Sequence, residues 1–428
     1  MTSIVLSFVG EQDPCSPKTN QEGSIVTLLR YLLSEEYKIA KIVLMYTLAT
    51  EKGAEETREW LELHEELNLL SGKVVLIPVS EGLSEDPTDL LLAAQEARKG
   101  LERVQSILES GDRIEFNASS GTPAMKSSLS VLQAAGYAPD SQVWQVRNPD
   151  KIKDGQTRVF KTDVQVLRQE FDLKAMSGQI EGFNYGAATI TLKNSTLMDS
   201  FRSVGGLLMA GKAWHRGEFD VFYGLAKSYL TDAQKSQGDS WWWMAYEQAY
   251  TAMVRLEQGN TSEAMQHSFR AVEGALWEWA IATFPNDVVD RENQYPLLKP
   301  TILKVFPALR SRYEEQSQRS IDVELKGWIL RNLVETAIPA TVVSDDFGEY
   351  WNTARKARNQ ISHRLGGISE KQVLAAWGEG ICTRSDLEKR LLRCLNLLTR
   401  KSFRSLVDVS LFAKVHQRVL ETIASYQP

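Results

Sequence analysis

The sequence predicts an α/β Rossmann-like N-terminal domain followed by an all-α C-terminal region. Up to about residue 165, short apolar runs rich in β-branched residues alternate with amphipathic helical patterns. From about residue 197 onward, the apolar residues recur with helical spacing. Strands separated by helices of this length are typical of βαβ units, so the first domain should contain a mainly parallel sheet covered on both faces.

The first domain, residues 1–165, is predicted to hold five strands separated by four helices. The strands are the β-branched apolar runs Ile4–Phe8, Ile42–Tyr46, Val74–Pro78, Arg113–Asn117 and Val143–Arg147. The helices are the amphipathic stretches Ser24–Ser34, Glu55–Leu70, Asp89–Glu109 and Pro123–Gly136.

Residues 166–196 are predicted to connect the two domains, because their apolar pattern is weak and glycines interrupt it at Gly178, Gly182 and Gly186. Within this connector, the run Ala188–Leu192 is rich in β-branched residues and is a candidate for one more strand.

The helical region, residues 197–428, contains a predicted pair of antiparallel helices, Trp241–Gln258 and Ser262–Phe284, with Thr261 capping the second. The tryptophan run that opens the first helix is expected to pack in a core or a subunit interface. The remaining helical patterns are Thr301–Glu315 (with a break at Pro307), Val323–Glu335, Tyr350–Leu365, Glu370–Trp377, Ser385–Leu406 and Leu411–Ser425.

Composition narrows the class of protein. The 428 residues, with 43% apolar and 24% charged, suit a globular protein of two or three domains. The net charge of −6 argues against a protein that coats nucleic acid non-specifically, although a local basic site remains open. No signal-peptide pattern begins the chain, and no apolar run approaches the roughly 20 residues that span a bilayer. We therefore expect a cytoplasmic protein with no membrane partner.

Several common sites have no motif in the sequence. The cysteines Cys15, Cys382 and Cys394 are too scattered for a disulfide framework, and no Cys/His cluster or H-E-x-x-H motif predicts a metal. No G-x-G-x-x-G follows the first strand and no G-x-x-x-x-G-K-[ST] occurs, so neither a dinucleotide nor a P-loop triphosphate is indicated.

Two strand exits of the first domain carry glycines and polar residues, one over Ser7–Pro14 and the other over Asn117–Lys126. Ligands of doubly wound sheets bind at the carboxyl ends of strands, so both exits are candidate ligand loops. In the second, Thr122 is the predicted N-cap, and a helix N-terminus attracts anions. The same residues can also serve only to cap the helix and tighten the turn.

The segment Arg358–His363 places an arginine, an asparagine and a histidine in a helical stretch without acidic residues. RNA can be cut without a metal, because its own 2′-OH can attack the adjacent phosphate. Arg358 suits charge stabilisation on the phosphate, and His363, with an ordinary pKa near 6.5, suits proton transfer. Asn359 and Ser362 are candidates to orient the histidine or the phosphate. A solvated basic helix face is the competing interpretation.

These motifs together resemble a known family. The Val9-Gly10…Asp13-Pro14…Gly23 exit and the Asn117-x-Ser-Ser-Gly-Thr-Pro-x-Met segment resemble the ligand loops of CARF domains. The Arg-x4-His motif at Arg358 and His363 resembles the signature of HEPN ribonucleases. In this order they are similar to the CRISPR-associated CARF–HEPN ribonucleases of type III systems. One departure is that Ser119 and Ser120 stand where the family more often has Thr and Gly.

The resemblance implies an allosteric, metal-independent endoribonuclease for single-stranded RNA, with no cofactor except an activator, a cyclic tetra- or hexa-adenylate. It implies a homodimer, which agrees with geometry, because residues five apart on a helix differ by roughly 140° in direction and one helix cannot present both groups alike. The implied ligand-site residues are Gly10, Gln12, Asp13, Asn117, Ser119, Ser120, Gly121, Thr122 and Lys126.

Three alternatives stay open. The helical half can be a dimerisation or partner-binding module without nuclease activity, attached to a cyclic-oligonucleotide sensor. A Rossmann-type oxidoreductase is a weaker alternative, because the glycine fingerprint is missing. Within the leading interpretation, the first domain can also degrade its own activator slowly. The sequence leaves open the ring size, the RNA preference and the route of the signal through the connector.

Overall fold

The computed structural model describes residues 2–17, 20–64, 66–67, 70–292, 294–317, 322–338, 345–363 and 365–426. The chain divides into two compact units, with the boundary between Lys174 and Ala175. The first holds a six-stranded sheet with helices, and the second is helix-rich. The predicted fold class is therefore confirmed, with one exception in the second unit described below.

The sheet of the first unit has the order β3-β2-β1-β4-β5-β6. Strands β1 to β5 run parallel to their neighbours, and β6 is antiparallel to β5. The order reverses between β1 and β4, which is where doubly wound sheets bind ligands. The strands are β1 Thr2–Phe8, β2 Lys38–Tyr46, β3 Val74–Pro78, β4 Arg113–Asn117, β5 Ser141–Val146 and β6 Val159–Thr162.

Helices cover both faces of this sheet, as its apolar strands predict. One face packs against the apolar residues of α1 and α2, and the other against those of α4 and α5. Strand β1 contributes to the hydrophobic cores on both faces, since Ile4 and Leu6 belong to one core and Val5 belongs to the other. The helices are α1 Ser24–Ser34, α2 Glu51–Leu63, α3 Glu81–Glu85, α4 Leu90–Gln105 and α5 Pro123–Ala134, and α6 Gln165–Glu181 continues from this unit into the second.

The second unit consists mainly of helices. The predicted antiparallel pair is present as the helices Trp243–Glu257 and Thr261–Thr283, and Trp242 and Trp243 are buried. The helices are α7 Tyr185–Asn194, α8 Arg202–His215, α9 Phe219–Ala226, α10 Asp232–Gly238, α11 Trp243–Glu257, α12 Thr261–Thr283, α13 Ile302–Val305, α14 Arg310–Ser317, α15 Gly327–Ala337, α16 Asp345–Glu349, α17 Arg355–His363, α18 Glu370–Ala376, α19 Arg384–Thr399, α20 Leu406–Val409 and α21 Leu411–Ala424.

The predicted strand Ala188–Leu192 is wrong, because this segment lies in helix α7. Tyr185, Ala188 and Leu192 are buried at helical spacing, and the Asn184 side chain caps the helix by accepting a 3.0 Å hydrogen bond from the Ala187 N–H. The prediction relied on the β-branched residues of this segment. Burial of these three residues along one side of the helix outweighs that intrinsic strand preference.

The second unit is not purely α-helical, which corrects the predicted all-α region. Strands β7 Val288–Val289, β8 Leu297–Leu298 and β9 Val323–Glu324 form a small antiparallel sheet. The predicted helix Val323–Glu335 therefore starts only at Gly327. Such two-residue strands are set by pairing with distant segments, which local periodicity does not report.

The predicted cap at Thr261 is also wrong. Asn260 occupies the N-cap position of α12 without a side-chain cap, and the Thr261 hydroxyl instead donates to the Ile368 carbonyl. The predicted break at Pro307 is confirmed, because a 3₁₀ turn at Pro307–Leu309 separates α13 from α14.

Candidate functional site

A cavity of about 770 Å³ opens at the carboxyl ends of β1, β2, β4 and β5 in the first unit. It lies at the point where strand order reverses, between β1 and β4. We call it the strand-end pocket. Eight of the nine residues predicted for a ligand site line it: Gly10, Gln12, Asp13, Ser119, Ser120, Gly121, Thr122 and Lys126.

The two candidate loops touch through their glycines. A Cβ on Gly10 would lie 2.8 Å from the Gly121 nitrogen, closer than such atoms approach. Gly121 itself has φ +87°, and a Cβ there would lie 2.9 Å from the Met125 sulfur. Glycine is therefore needed at both positions, because only a bare backbone allows this approach and this dihedral.

Asp13 joins the two loops rather than projecting freely. Its buried carboxylate accepts hydrogen bonds from the Gly10 N–H (3.1 Å) and the Ile25 N–H (3.2 Å), and from the Ser120 hydroxyl. Burial raises the pKa of Asp13, and these hydrogen bonds and nearby Lys126 oppose the rise. Asp13 and Ser120 thus hold the floor of the pocket in shape.

Asn117 is the predicted ligand residue that does not line the pocket. It is fully buried at the end of β4, and its amide nitrogen donates to the Ser7 hydroxyl at 3.1 Å. Its carbonyl oxygen accepts from the Ser119 N–H at 3.1 Å, while the Ser119 hydroxyl accepts from the Val146 N–H at 2.6 Å. Both side chains fix the loop after β4 to its neighbouring strands.

Thr122 caps α5, as the sequence predicts. Its hydroxyl oxygen accepts from the Met125 N–H at 3.4 Å and donates to the Pro87 carbonyl at 2.6 Å. Pro123 takes the first helical position. The N-terminus of α5 and Lys126 thus both present positive potential to the pocket, a setting that favours anions.

The sequence prediction missed two cations of this pocket, Arg147 and Arg158, on the hairpin that joins β5 to β6. The Arg158 Nη2 donates to the Glu22 carbonyl at 2.9 Å, and its buried Nε has no partner within the described part of the chain. Arg147 is the last residue of a predicted strand, so its position at this edge of the sheet could have been predicted from the sequence. The position of Arg158 could not, because strand β6 was not predicted.

In the second unit, Arg358 lies on α17 and reaches α12. Its Nη2 is 3.6 Å from the Glu273 carboxylate, and its guanidinium lies 4.8 Å from the Phe269 ring centroid. Its Nη1 donates to the Asn359 side-chain oxygen at 3.1 Å. Burial raises the pKa of Glu273, and the neighbouring Arg358 and Arg355 lower it. The structure thus brings Arg358 and Asn359 together.

Helix α17 runs through Ser362 to His363. The side chains of Ser362 and His363 lie outside the described residues. Their proposed roles rest on the sequence.

The helix that carries Arg358 has a π-helical segment before it, at Tyr350–Ala354, and such segments recur at functional sites. The start of this helical stretch is anchored by Asp346, whose carboxylate pairs with Arg390 at 2.5 Å and Arg393 at 2.6 Å.

A second cleft, of about 310 Å³, lies between α15 and α17. We call it the basic cleft; its lining is Gly327, Trp328, Arg331, Trp351, Asn352, Arg355, Lys356 and Asn359.

The other histidines have structural surroundings. Burial lowers the pKa of His215, His267 and His416 to about 4, so they are neutral near pH 7. His64 stacks on Trp60, with ring centroids 4.1 Å apart.

Among the described residues, no group of three or more His, Cys, Asp and Glu side chains is placed to hold a metal ion. A search of the described helices found none with the length and apolar character to cross a membrane.

The first unit is Rossmann-like with a pocket at the strand ends, and the second unit is helix-rich. Among solved structures, the chain is similar to Enterococcus italicus Csm6 bound to cyclic hexa-2′-fluoro-hexa-dAMP, with a TM-score of 0.67. The match covers 98% of this chain and 100% of that one at 15% identity, which establishes the shared fold. No protein-family model and no curated protein sequence matches the chain.

Proposed function

We propose that the protein is an endoribonuclease that cleaves single-stranded RNA when a cyclic oligoadenylate binds its first unit, in type III CRISPR antiviral defence. One observation carries the proposal: the chain shares the fold of a Csm6 over 98% of its length. The Arg358–Asn359 pair, which adjoins a basic cleft, agrees with it.

The strand-end pocket is the proposed activator site. Its phosphate contacts would come from Lys126, Arg147 and Arg158, together with the N-terminus of α5. The Csm6 of similar fold was solved with a fluorinated cyclic hexa-nucleotide of adenylate type, which favours the hexa-adenylate over the tetra-adenylate. The alternating phosphates and bases of such a ring suit a site shared by two symmetry-related subunits, so we propose a homodimer.

The proposed cleavage needs no metal. The RNA 2′-OH loses its proton and attacks the adjacent phosphorus, and the bond to the 5′-oxygen breaks as that oxygen takes up a proton. Arg358 stabilises the charge on the phosphorane, and His363 moves the protons. Asn359 and Ser362 orient these groups. The products are a 2′,3′-cyclic phosphate and a 5′-hydroxyl.

The decisive experiment measures cleavage of a fluorogenic single-stranded RNA in EDTA, with cyclic tetra-adenylate, cyclic hexa-adenylate or neither. We expect cleavage with one ring only, lost in His363→Ala although that variant still binds the ring. Cleavage that needs Mg²⁺, or that persists in His363→Ala, would contradict the mechanism.

A second candidate is a cyclic-oligonucleotide sensor whose helical unit binds a partner without cutting RNA. The contact of Arg358 with Glu273 and Phe269 favours it, because an arginine held by its own fold can be purely structural. Ring binding by a dimeric protein without cleavage of any RNA tested would support this alternative.

A further inference from the structure

Trp328 is an unusual surface residue. It lies on α15 with 58% of its surface exposed, although tryptophan is usually well buried. It is not an isolated apolar spot, because it forms one wall of the basic cleft. An exposed indole inside a polar cleft indicates a ligand with a flat apolar face.

The other residues of the cleft are cationic or amide-bearing. Arg331 lies with its guanidinium 5.3 Å from the Trp328 ring centroid and pairs with Glu335 at 2.6 Å. Across the cleft, α17 contributes Arg355 and Lys356. The Arg355 Nη2 reaches the start of α15, 3.5 Å from where a Cβ on Gly327 would lie. None of the described residues that line the cleft is acidic.

Aromatic faces combined with positive charge are the usual means of binding single-stranded nucleic acid. Unpaired bases stack on aromatic rings, while Lys and Arg contact the backbone. A protein partner would instead call for a broad apolar patch, and the cleft walls around Trp328 carry Arg331, Arg355 and Lys356. The chemistry favours a nucleotide.

The cleft also has a fixed relation to the proposed cleavage site. Asn359 lines the cleft and at the same time accepts the 3.1 Å hydrogen bond from Arg358. A phosphate bound at Arg358 would therefore lie beside the cleft.

We propose that the basic cleft is a nucleobase subsite, in which the RNA base next to the scissile phosphate stacks on Trp328 while Arg355 and Lys356 bind the backbone. This inference rests on the proposed ribonuclease function and adds a substrate-binding residue to it. The subsite would make cleavage depend on an unpaired base at one position of the RNA.

Binding tests the subsite without cleavage. The probe is a fluorescent single-stranded RNA with 2′-fluoro riboses, which cannot attack the phosphate, added to the full-length protein with its cyclic oligoadenylate. We expect Trp328→Ala to weaken binding roughly 5- to 100-fold, the range for loss of one stacked base, and Trp328→Phe to retain most of the affinity. Trp241→Ala removes another partly exposed tryptophan outside the cleft and should bind as the wild type does.

A single abasic site moved along the probe identifies the stacked base. At one position, the abasic site should weaken RNA binding by the wild type as much as Trp328→Ala weakens binding of the intact probe. The same abasic site should then cause almost no further loss of RNA affinity in Trp328→Ala. Additive losses, wild-type affinity in Trp328→Ala, or no RNA binding by the wild type would each overturn the subsite.

The outcomes separate the subsite from the ribonuclease proposal. If RNA binding depends on Trp328 but no cleavage depends on His363, the ribonuclease proposal is wrong and the base subsite stands. Cleavage by the wild type with unchanged KM in Trp328→Ala would keep the nuclease and remove the base site. Thermal unfolding of each variant identifies a loss that comes only from misfolding.

Discussion

Arg358 and Glu273 meet across two helices, with 3.6 Å between the guanidinium Nη2 and the carboxylate oxygen. Only 34% of the Arg358 side chain is exposed and 19% of that of Glu273, so the contact is partly shielded from water. The pairing holds the guanidinium in one direction, on the side of α17 that also carries Asn359. In the proposed reaction, a guanidinium held in this way would stabilise the phosphorane without reorganisation.

We predict that Arg358→Ala lowers kcat for RNA cleavage roughly 100- to 1,000-fold, the range for loss of one charge-stabilising donor, and leaves ring binding unchanged. Glu273→Gln should cost only several-fold, because the guanidinium remains but is held less firmly. Steady-state kinetics check both, with Gln360→Ala as an exposed control on the same helix. Full activity in Arg358→Ala would move the function to the sensor alternative.

Gly10→Ala should abolish ring binding and destabilise the first unit by about 1–3 kcal/mol, because the new methyl would overlap the Gly121 backbone nitrogen. Gly82→Ala is the matched control, since its Cβ would meet only the Leu92 side chain, at an ordinary 3.5 Å. Calorimetric titration with cyclic hexa-adenylate and thermal unfolding give the two readouts. Normal binding by Gly10→Ala would mean that this close loop approach is dispensable.

Arg158→Ala should weaken binding of the cyclic oligoadenylate roughly 10- to 100-fold, as expected for a charge-assisted hydrogen bond to phosphate. Arg158→Lys should recover part of the loss by keeping the charge. Lys151→Ala, an exposed cation on the same hairpin that does not line the pocket, should bind normally. Equal losses in Arg158→Ala and Lys151→Ala would indicate a general charge effect and contradict a specific contact.

Glu247 should make the stability of the helical unit depend on pH. Burial raises its pKa to about 7, although Ser410, Trp214 and the N–H groups of Leu411 and Phe412 donate to it. Between about pH 4.5 and 7 the folded state then holds a proton that the unfolded chain has released. The contribution of Glu247 to the free energy of unfolding therefore falls as pH rises through this range, by about 3 kcal/mol at most, whereas His215, His267 and His416 contribute in the opposite direction.

Thermal unfolding at pH 5 and pH 7.5 checks this prediction. Because the histidines act alike in both proteins, the unfolding temperature of the wild type relative to that of Glu247→Gln should fall from pH 5 to pH 7.5, since only the wild type has this proton to release. The same pH dependence in both proteins would assign the effect to other groups.

Local sequence predicted several elements to the residue. Helix Ser24–Ser34 and strands Val74–Pro78 and Arg113–Asn117 have the predicted bounds, because helical periodicity marks the first and turn residues flank the apolar runs of the others. The edge strand β6 escaped prediction, since Val159–Thr162 is short and defined by its pairing with β5. The helical Ala188–Leu192 run was missed for the converse reason, because its neighbours bury one helical stripe.

The sequence by itself determined the order of the two units, the strand ends that would carry polar loops and the cap of α5 at Thr122, because each follows from local pattern and turn chemistry. Only the tertiary structure decided which way those side chains point. It turned Asn117 into the core, set Asp13 and Ser120 against each other, and brought Arg158 to the pocket and Arg358 to Glu273. These relations join residues far apart in the chain, and they depend on packing that no local pattern encodes.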